Sequence, residues 1–230
     1  MIDHVLLECT YHDHQRLIAK LGGFAESYAL TDRPALIVQA SPVSCGLEVD
    51  VLDRALLDIL RPRHFETDGN SYWSGFESSY HHRPTFGGVA ILEEHNEPNW
   101  AYEFHRDGHA IAGVWKFHTW QSGDRQAGYS IDDQYRNVFR DFRDKTLRTI
   151  ERAGLTGGYH LTAALLHANV LKFAARHHLS GALIHKSPPL QQHLVWRVRN
   201  VAQRADWDLA VNAMGKELVG AWGQIALDHP

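Results

Sequence analysis

Cysteine is scarce in this chain: Cys9 and Cys45 are the only two in 230 residues. Two thiols cannot build a disulfide framework, and both read as buried thiols of a reducing compartment. An excess of basic charge is missing too. Lys and Arg number 23 against 27 Asp and Glu, a formal net charge of -4 with histidine neutral, whereas nucleic-acid binders usually carry a basic surplus. No window nears the roughly 18 continuous apolar residues that a membrane span needs. Residues 1–13 hold no basic segment followed by an apolar run of signal-peptide length. The expected compartment is therefore the cytoplasm, and a membrane is not an expected partner. Pro (8) and Gly (18) are at ordinary levels, which excludes collagen-like and low-complexity chains.

Catalytic signatures are also absent. The sequence has no HExxH, no paired CxxC and no HxE…PCxxC pattern, so no standard zinc motif is present. It has no G-x-S-x-G elbow; Ser74-Gly75 and Ser122-Gly123 fall in ordinary loops. Gly22-Gly23, Gly87-Gly88 and Gly157-Gly158 are isolated pairs without a phosphate-binding pattern, which makes them turns and helix stops and argues against ATP binding.

What the chain does have is a 44% hydrophobic composition, enough for a sizeable core. The apolar spacing predicts a strand at Val5–Cys9, a helix from His14 to Leu21 stopped by Gly22-Gly23, and a doubly covered strand at Ala35–Ala40. A helix over Asp50–Leu60 ends at Pro62. Residues Arg63 to Gly88 read as a long irregular segment and as the one candidate domain boundary, although its interleaved aromatics argue that it packs down. Val89–Glu93 is a strand, and Trp100–His105 with Ala110–His118 form a hairpin turned by Asp107-Gly108. After a loop, Gln121 to Tyr129, a helix capped by Ser130 runs over 131–153 to Gly154. A strand at Gly158–Leu166, a segment Val170–His178 open to either assignment, a strand at Leu194–Val201 and a last helix to Trp222 complete the chain. The expected class is α+β: one domain over 1–230, with a mixed, largely antiparallel sheet and packed helices.

The count that stands out is 17 histidines. His12 and His14, His81-His82, His105 with His109, and His177-His178 form local pairs. A metal site needs two or three imidazoles converging with a carboxylate. The first candidate is His105 with His109 across the Asp107-Gly108 turn, joined by Glu103 or Asp107. The helix over 131–153 carries Arg136, Arg140, Arg143, Lys145, Arg148 and Arg152, a candidate nucleic-acid face. Asp132, Asp133, Asp141, Asp144 and Glu151 interleave with it, as in a salt-laced solvated helix. Arg197 and Arg199 form a smaller candidate. Of the 7 tryptophans, Trp120 at a strand end is the one expected at the surface.

Three stretches carry a family resemblance: Arg83-Pro84-Thr85-Phe86-Gly87-Gly88, then Tyr102-Glu103-Phe104-His105-Arg106-Asp107-Gly108, and Gly154-Leu155-Thr156-Gly157-Gly158-Tyr159 after the long helix. With the closing helix and its Asn212-Ala213-Met214-Gly215, the order over about residues 84–225 resembles the C-terminal region of bacterial Schlafen AlbA-type proteins, a family described as DNA-binding or ATP-binding. The N-terminal module of that family, with its Glu-Phe-Lys motif, has no counterpart here, so no site residues transfer. The resemblance implies an accessory or sensing domain of a phage-defence or regulatory protein. The leading expectation is thus a non-catalytic regulatory, sensing or interaction domain, partnered by a protein or a larger parent polypeptide, without a cofactor. The alternatives are a histidine-dependent hydrolase using a divalent metal, and a nucleic-acid-binding domain using Arg136, Arg140, Arg143, Arg148 and Arg152.

Overall fold

The computed structural model describes residues 11–43, 48–60, 80–85, 87–93, 98–122, 125–176 and 183–223. Its helices are α1 (Tyr11–Ser27), α2 (Arg54–Leu60), α3 (Asn137–Arg152) and α4 (Arg204–Gly220). Its strands are β1 (Ala35–Pro42), β2 (Tyr80–Pro84), β3 (Gly88–Glu93), β4 (Trp100–His105), β5 (Ala110–Val114), β6 (His118–Ser122), β7 (Arg125–Ile131), β8 (Tyr159–Leu166), β9 (Leu171–Arg176), β10 (Leu183–Lys186), β11 (Leu194–Val195) and β12 (Arg199–Val201). The main sheet has the order β11-β8-β1-β5-β4-β3-β2, with β12 also paired to β8, and these pairs are antiparallel. A smaller sheet, β10-β9-β7-β6, contains the parallel pair β7–β9. The α+β class with a mostly antiparallel sheet is what the periodicity predicts. No described helix is long and apolar enough to cross a membrane.

Strand β1 lies mid-sheet and is buried along its whole length, as its unbroken apolar run requires. One face of the sheet carries Leu36, Val38, Tyr102, Phe104, Ala112 and Leu165. With α3 and α4 these residues form the larger core, around Phe139, Phe142, Met214 and Trp207. The opposite face carries Ile37, Ala101 and Ile111 and is covered by α1 through Phe24, Ala25 and Leu21 in a much smaller cluster. Gly113 makes that approach possible, because a Cβ there would stand 2.7 Å from Phe24 Cε1. Strands β4 and β5 are buried on both faces, so the alternation of their aromatics separates two cores instead of a core from solvent.

Several expectations are corrected. Gly22-Gly23 does not stop the first helix, which runs on to Ser27. The apolar face continues through Phe24 and Ala25, and their burial outweighs the roughly 1 kcal/mol each helical glycine costs. The helix ends where Ala29 turns left-handed, at φ 52°. The second helix is only Arg54–Leu60; Asp50 and Asp53 instead accept the backbone N–H groups of Leu52 and Ala55 in tight turns. Part of the segment expected to be irregular is the edge strand Tyr80–Pro84, and residues 61–79 lie outside the described residues. The hairpin strand after Gly108 stops at Val114. His118–Ser122 and Arg125–Ile131 then pair in the second sheet, where a loop was expected. Ser130 sits in β7, and Asp132 caps the short 3-10 turn that leads into α3. Val170–His178 resolves as β9 through Arg176, and Leu194–Val201 as two short strands interrupted at 196–198. The strand expected at Val5–Cys9, Cys45 and the pair His177-His178 lie outside the described residues.

Candidate functional site

The antiparallel register lines up polar residues under α1. Directly paired residues share a face. Arg83 pairs with Ala90, Ala90 with Glu103, Glu103 with Ile111, Ile111 with Gln39, and Gln39 with Thr162, making one row across five strands and onto a sixth. The adjoining row on this face holds Gly88 opposite His105, His109 across the turn, and Ser41 opposite His160, which is itself opposite Asn200. Glu103, His109, Gln39, Ser41, His160 and Thr162 are all buried.

Hydrogen bonds fix the centre of this cluster. Tyr28 OH donates to Glu103 Oε1 at 2.9 Å, and His105 Nε2 lies 3.0 Å from Glu103 Oε2. A carboxylate only accepts, so in the neutral His105 ring the proton sits on Nε2 and Nδ1 is the acceptor. That Nδ1 looks toward Gly87, where an added Cβ would stand 3.3 Å away. Burial and the Glu103 charge push the Tyr28 hydroxyl far above its ordinary value, so it stays a donor. On one flank Gln39 Nε2 donates to Leu17 O at 2.9 Å, tying the sheet to α1. Arg16 donates to Ser41 Oγ at 2.7 Å and to Pro42 O at 2.9 Å.

His109 differs from its neighbours. It is completely buried, its ring stands edge-on to His105 at 5.5 Å between centroids, and neither ring nitrogen has a hydrogen-bond partner. Burial, then the nearby His105 and Lys20, keep its pKa well below the ordinary value, so the ring is neutral. Its backbone N–H donates to Asp107 Oδ1 at 3.1 Å. Burial alone would raise the Asp107 pKa; this bond, followed by the Lys20 charge, outweighs it and leaves the carboxyl below the usual range. Lys20 Nζ lies 3.4 Å from Asp107 Oδ2.

Beside the cluster a cavity of about 770 Å³ opens between α1 and the strands β2 to β5. One side is a single helical face, Arg16, Ala19, Lys20, Gly23, Phe24, Ser27 and Tyr28, at the i, i+3, i+4 spacing of an α-helix. The other is Arg83, Pro84, Thr85, Gly87, Glu103, His105 and Ile111. Gly23 has nothing within 4 Å of where its Cβ would be, so packing does not demand glycine there, and its lack of a side chain keeps this wall of the cavity low.

Of the proposed metal trio, the structure brings Glu103 and His105 into direct contact and places His109 against His105. Among the described residues no group of three or more His, Cys, Asp or Glu is arranged to hold a metal ion. Most arginines of the long helix have partners within the chain. Arg136 pairs with Asp133 and packs on Gly215 of α4; Arg143 bonds Asp144 at 3.0 Å and Asp208 of α4 at 2.7 Å. Arg140 bonds Asn137, Arg152 lies 3.9 Å from Asp53, and Arg148 is exposed. Arg199 meets Glu217 at 2.6 Å. The side chain of Trp120 is outside the described residues. Sequence reasoning missed Tyr28 and Arg83. The Arg16, Lys20, Phe24, Tyr28 series at intervals of four was the available signal for Tyr28, hidden once the helix was stopped at Gly22. No protein-family model, curated protein or solved structure matches the chain.

Proposed function

We propose that this chain is a small-molecule-binding domain of the regulatory or sensing kind, its ligand seated in the cavity under α1. The observation that carries the reading is the convergence of Tyr28, Glu103 and His105 on a cavity of about 770 Å³ with Phe24 and Ile111 among its lining residues. Ligand sites of about 300–1,000 Å³ typically combine an apolar lining with a few placed polar groups. A sensing role also agrees with the accessory position that the resemblance to Schlafen AlbA-type proteins implies. The test is ligand-observed NMR against a mixed library of neutral, cationic and anionic metabolites, with wild type beside Ala19→Trp. Ala19 is exposed on the cavity wall, so the indole obstructs the cavity without disturbing the core. Hits bound by wild type and lost in Ala19→Trp support the reading; hits that persist unchanged overturn it.

A second reading, hydrolysis at a divalent metal, is favoured by one observation: the unbonded, buried His109 ring next to the Glu103–His105 pair. Stoichiometric zinc or manganese in protein purified without chelator or tag, lost in His105→Ala, would move the conclusion to it.

A further inference from the structure

We infer that the ligand of this cavity is an organic anion that also carries a hydrogen-bond donor, its anionic group facing Arg83 and its donor facing His105. The inference rests on the small-molecule reading above and adds the chemistry of the ligand.

The charge balance of the walls points to an anion. Three lining residues are cationic, Arg16, Lys20 and Arg83, against one carboxylate, Glu103. Both Glu103 oxygens are already engaged, one by Tyr28 and one by His105. Lys20 shares its charge with Asp107 outside the lining. The Arg83 side chain has no hydrogen bond or ion pair with any described residue, yet it stands close enough to Tyr28 for its charge to act on that hydroxyl. An arginine fork is the side chain best matched to a carboxylate or phosphate, and here it stands on the cavity wall.

The donor requirement comes from His105. In its neutral form, with the Nε2 proton directed to Glu103, the ring presents Nδ1 as an acceptor beside Gly87. A carboxylate or phosphate oxygen would repel that lone pair, so the anionic group belongs at the other end. Arg83 and Glu103 share one cross-strand row, separated by Ala90 alone. Two strand spacings put their backbones about 10 Å apart, so one small molecule can reach both ends of the row. Phe24 and Ile111 among the lining residues suit a flat or aliphatic middle.

The experiment titrates the full chain with four probes of one shape: 4-hydroxybenzoate, 4-hydroxybenzamide, 4-methoxybenzoate and 4-hydroxyphenyl phosphate. Binding is followed by backbone amide shifts in wild type, Arg83→Ala and Arg83→Lys. Arg83 is exposed in an edge strand, so both variants keep the fold, which the amide spectrum itself verifies. The expected result is that 4-hydroxybenzoate binds about 10–100-fold more tightly than its amide, the difference that a charge-assisted bond supplies. Arg83→Ala erases that difference, Arg83→Lys keeps part of it, and the methoxy compound is weaker than the hydroxy compound. Comparison with the phosphate probe tells a carboxylate from a phosphate ligand, and either preference supports the inference. Equal binding of benzoate and benzamide, or indifference to Arg83→Ala, overturns the anion while leaving a small-molecule site intact. Failure of all four probes to shift any cavity residue overturns the inference, while the library screen still judges the broader reading.

Discussion

On one face of the main sheet, Tyr102, Phe104, Ala112 and Leu165 meet Phe139, Phe142, Met214 and Trp207, all buried in one continuous cluster. On the other, a ten-residue buried apolar cluster around Phe24, Ile37 and Trp115 adjoins Glu103, His105, His109, Gln39, Ser41 and His160. The same strands supply both faces, so strand propensity does not separate them. Register does: odd positions of β4 and β5 are aromatic-poor and polar toward the turn, even positions are aromatic or small and apolar. Buried polar groups cost stability unless they are bonded. A face that retains an imidazole with both nitrogens unbonded is therefore not arranged for stability alone.

The largest effect that tests this contrast is on the apolar face. Phe142→Ala removes a fully buried ring from beside Tyr102 and should lower unfolding stability by about 3–5 kcal/mol in chemical denaturation. A loss below about 1 kcal/mol would show that this face does not carry the fold.

The next concerns the border of the apolar core, where α3 meets α2. Lys145 Nζ donates to Leu60 O at 2.7 Å and lies 5.7 Å from the centre of the Tyr102 ring. Burial pushes its pKa down to about 7. The unfolded chain keeps the ordinary lysine value near 10.4, so between these two values the unfolded state holds the extra proton. Stability must then rise with pH over that window. The expected gain between pH 7 and 9.5 is about 2–3 kcal/mol from this group, and Lys145→Met should flatten the curve. An equal slope in wild type and variant would contradict the assignment.

The smallest expected effect belongs to the α1 face. His109→Leu replaces an unbonded buried imidazole by an apolar side chain of similar reach and should change stability by no more than about 1 kcal/mol, in either direction. A loss above about 2 kcal/mol would mean that the ring makes a stabilising bond, and the contrast between the faces would weaken.

Much of the frame was legible in the sequence. The unbroken apolar run Ala35–Ala40 announced a strand covered on both sides, Asp107-Gly108 announced its turn, with Gly108 at φ 78°, and Gly154 ended the long helix at φ 65°. These are local properties of a few residues. The errors came where distant packing decided: Phe24 fitting over Gly113 carried α1 past two glycines, and pairing between 118–122 and 125–131 turned an expected loop into a hairpin. The site was half legible. Glu103, His105 and His109 could be grouped because one turn joins them. Tyr28 is 75 residues from Glu103, and Arg83 joins the row only through the register of β2 on β3. No local pattern encodes either.

Gly23→Leu separates the cavity from the core in one variant, with stability and ligand binding measured on the same preparation. The expected variant is about 0.5–1 kcal/mol more stable than wild type, because a helical glycine is replaced by a good helix former at a position with open space, and it no longer binds the ligands of wild type because leucine fills the cavity wall. A variant that is destabilised by more than about 1 kcal/mol, or that binds as wild type does, would contradict this separation.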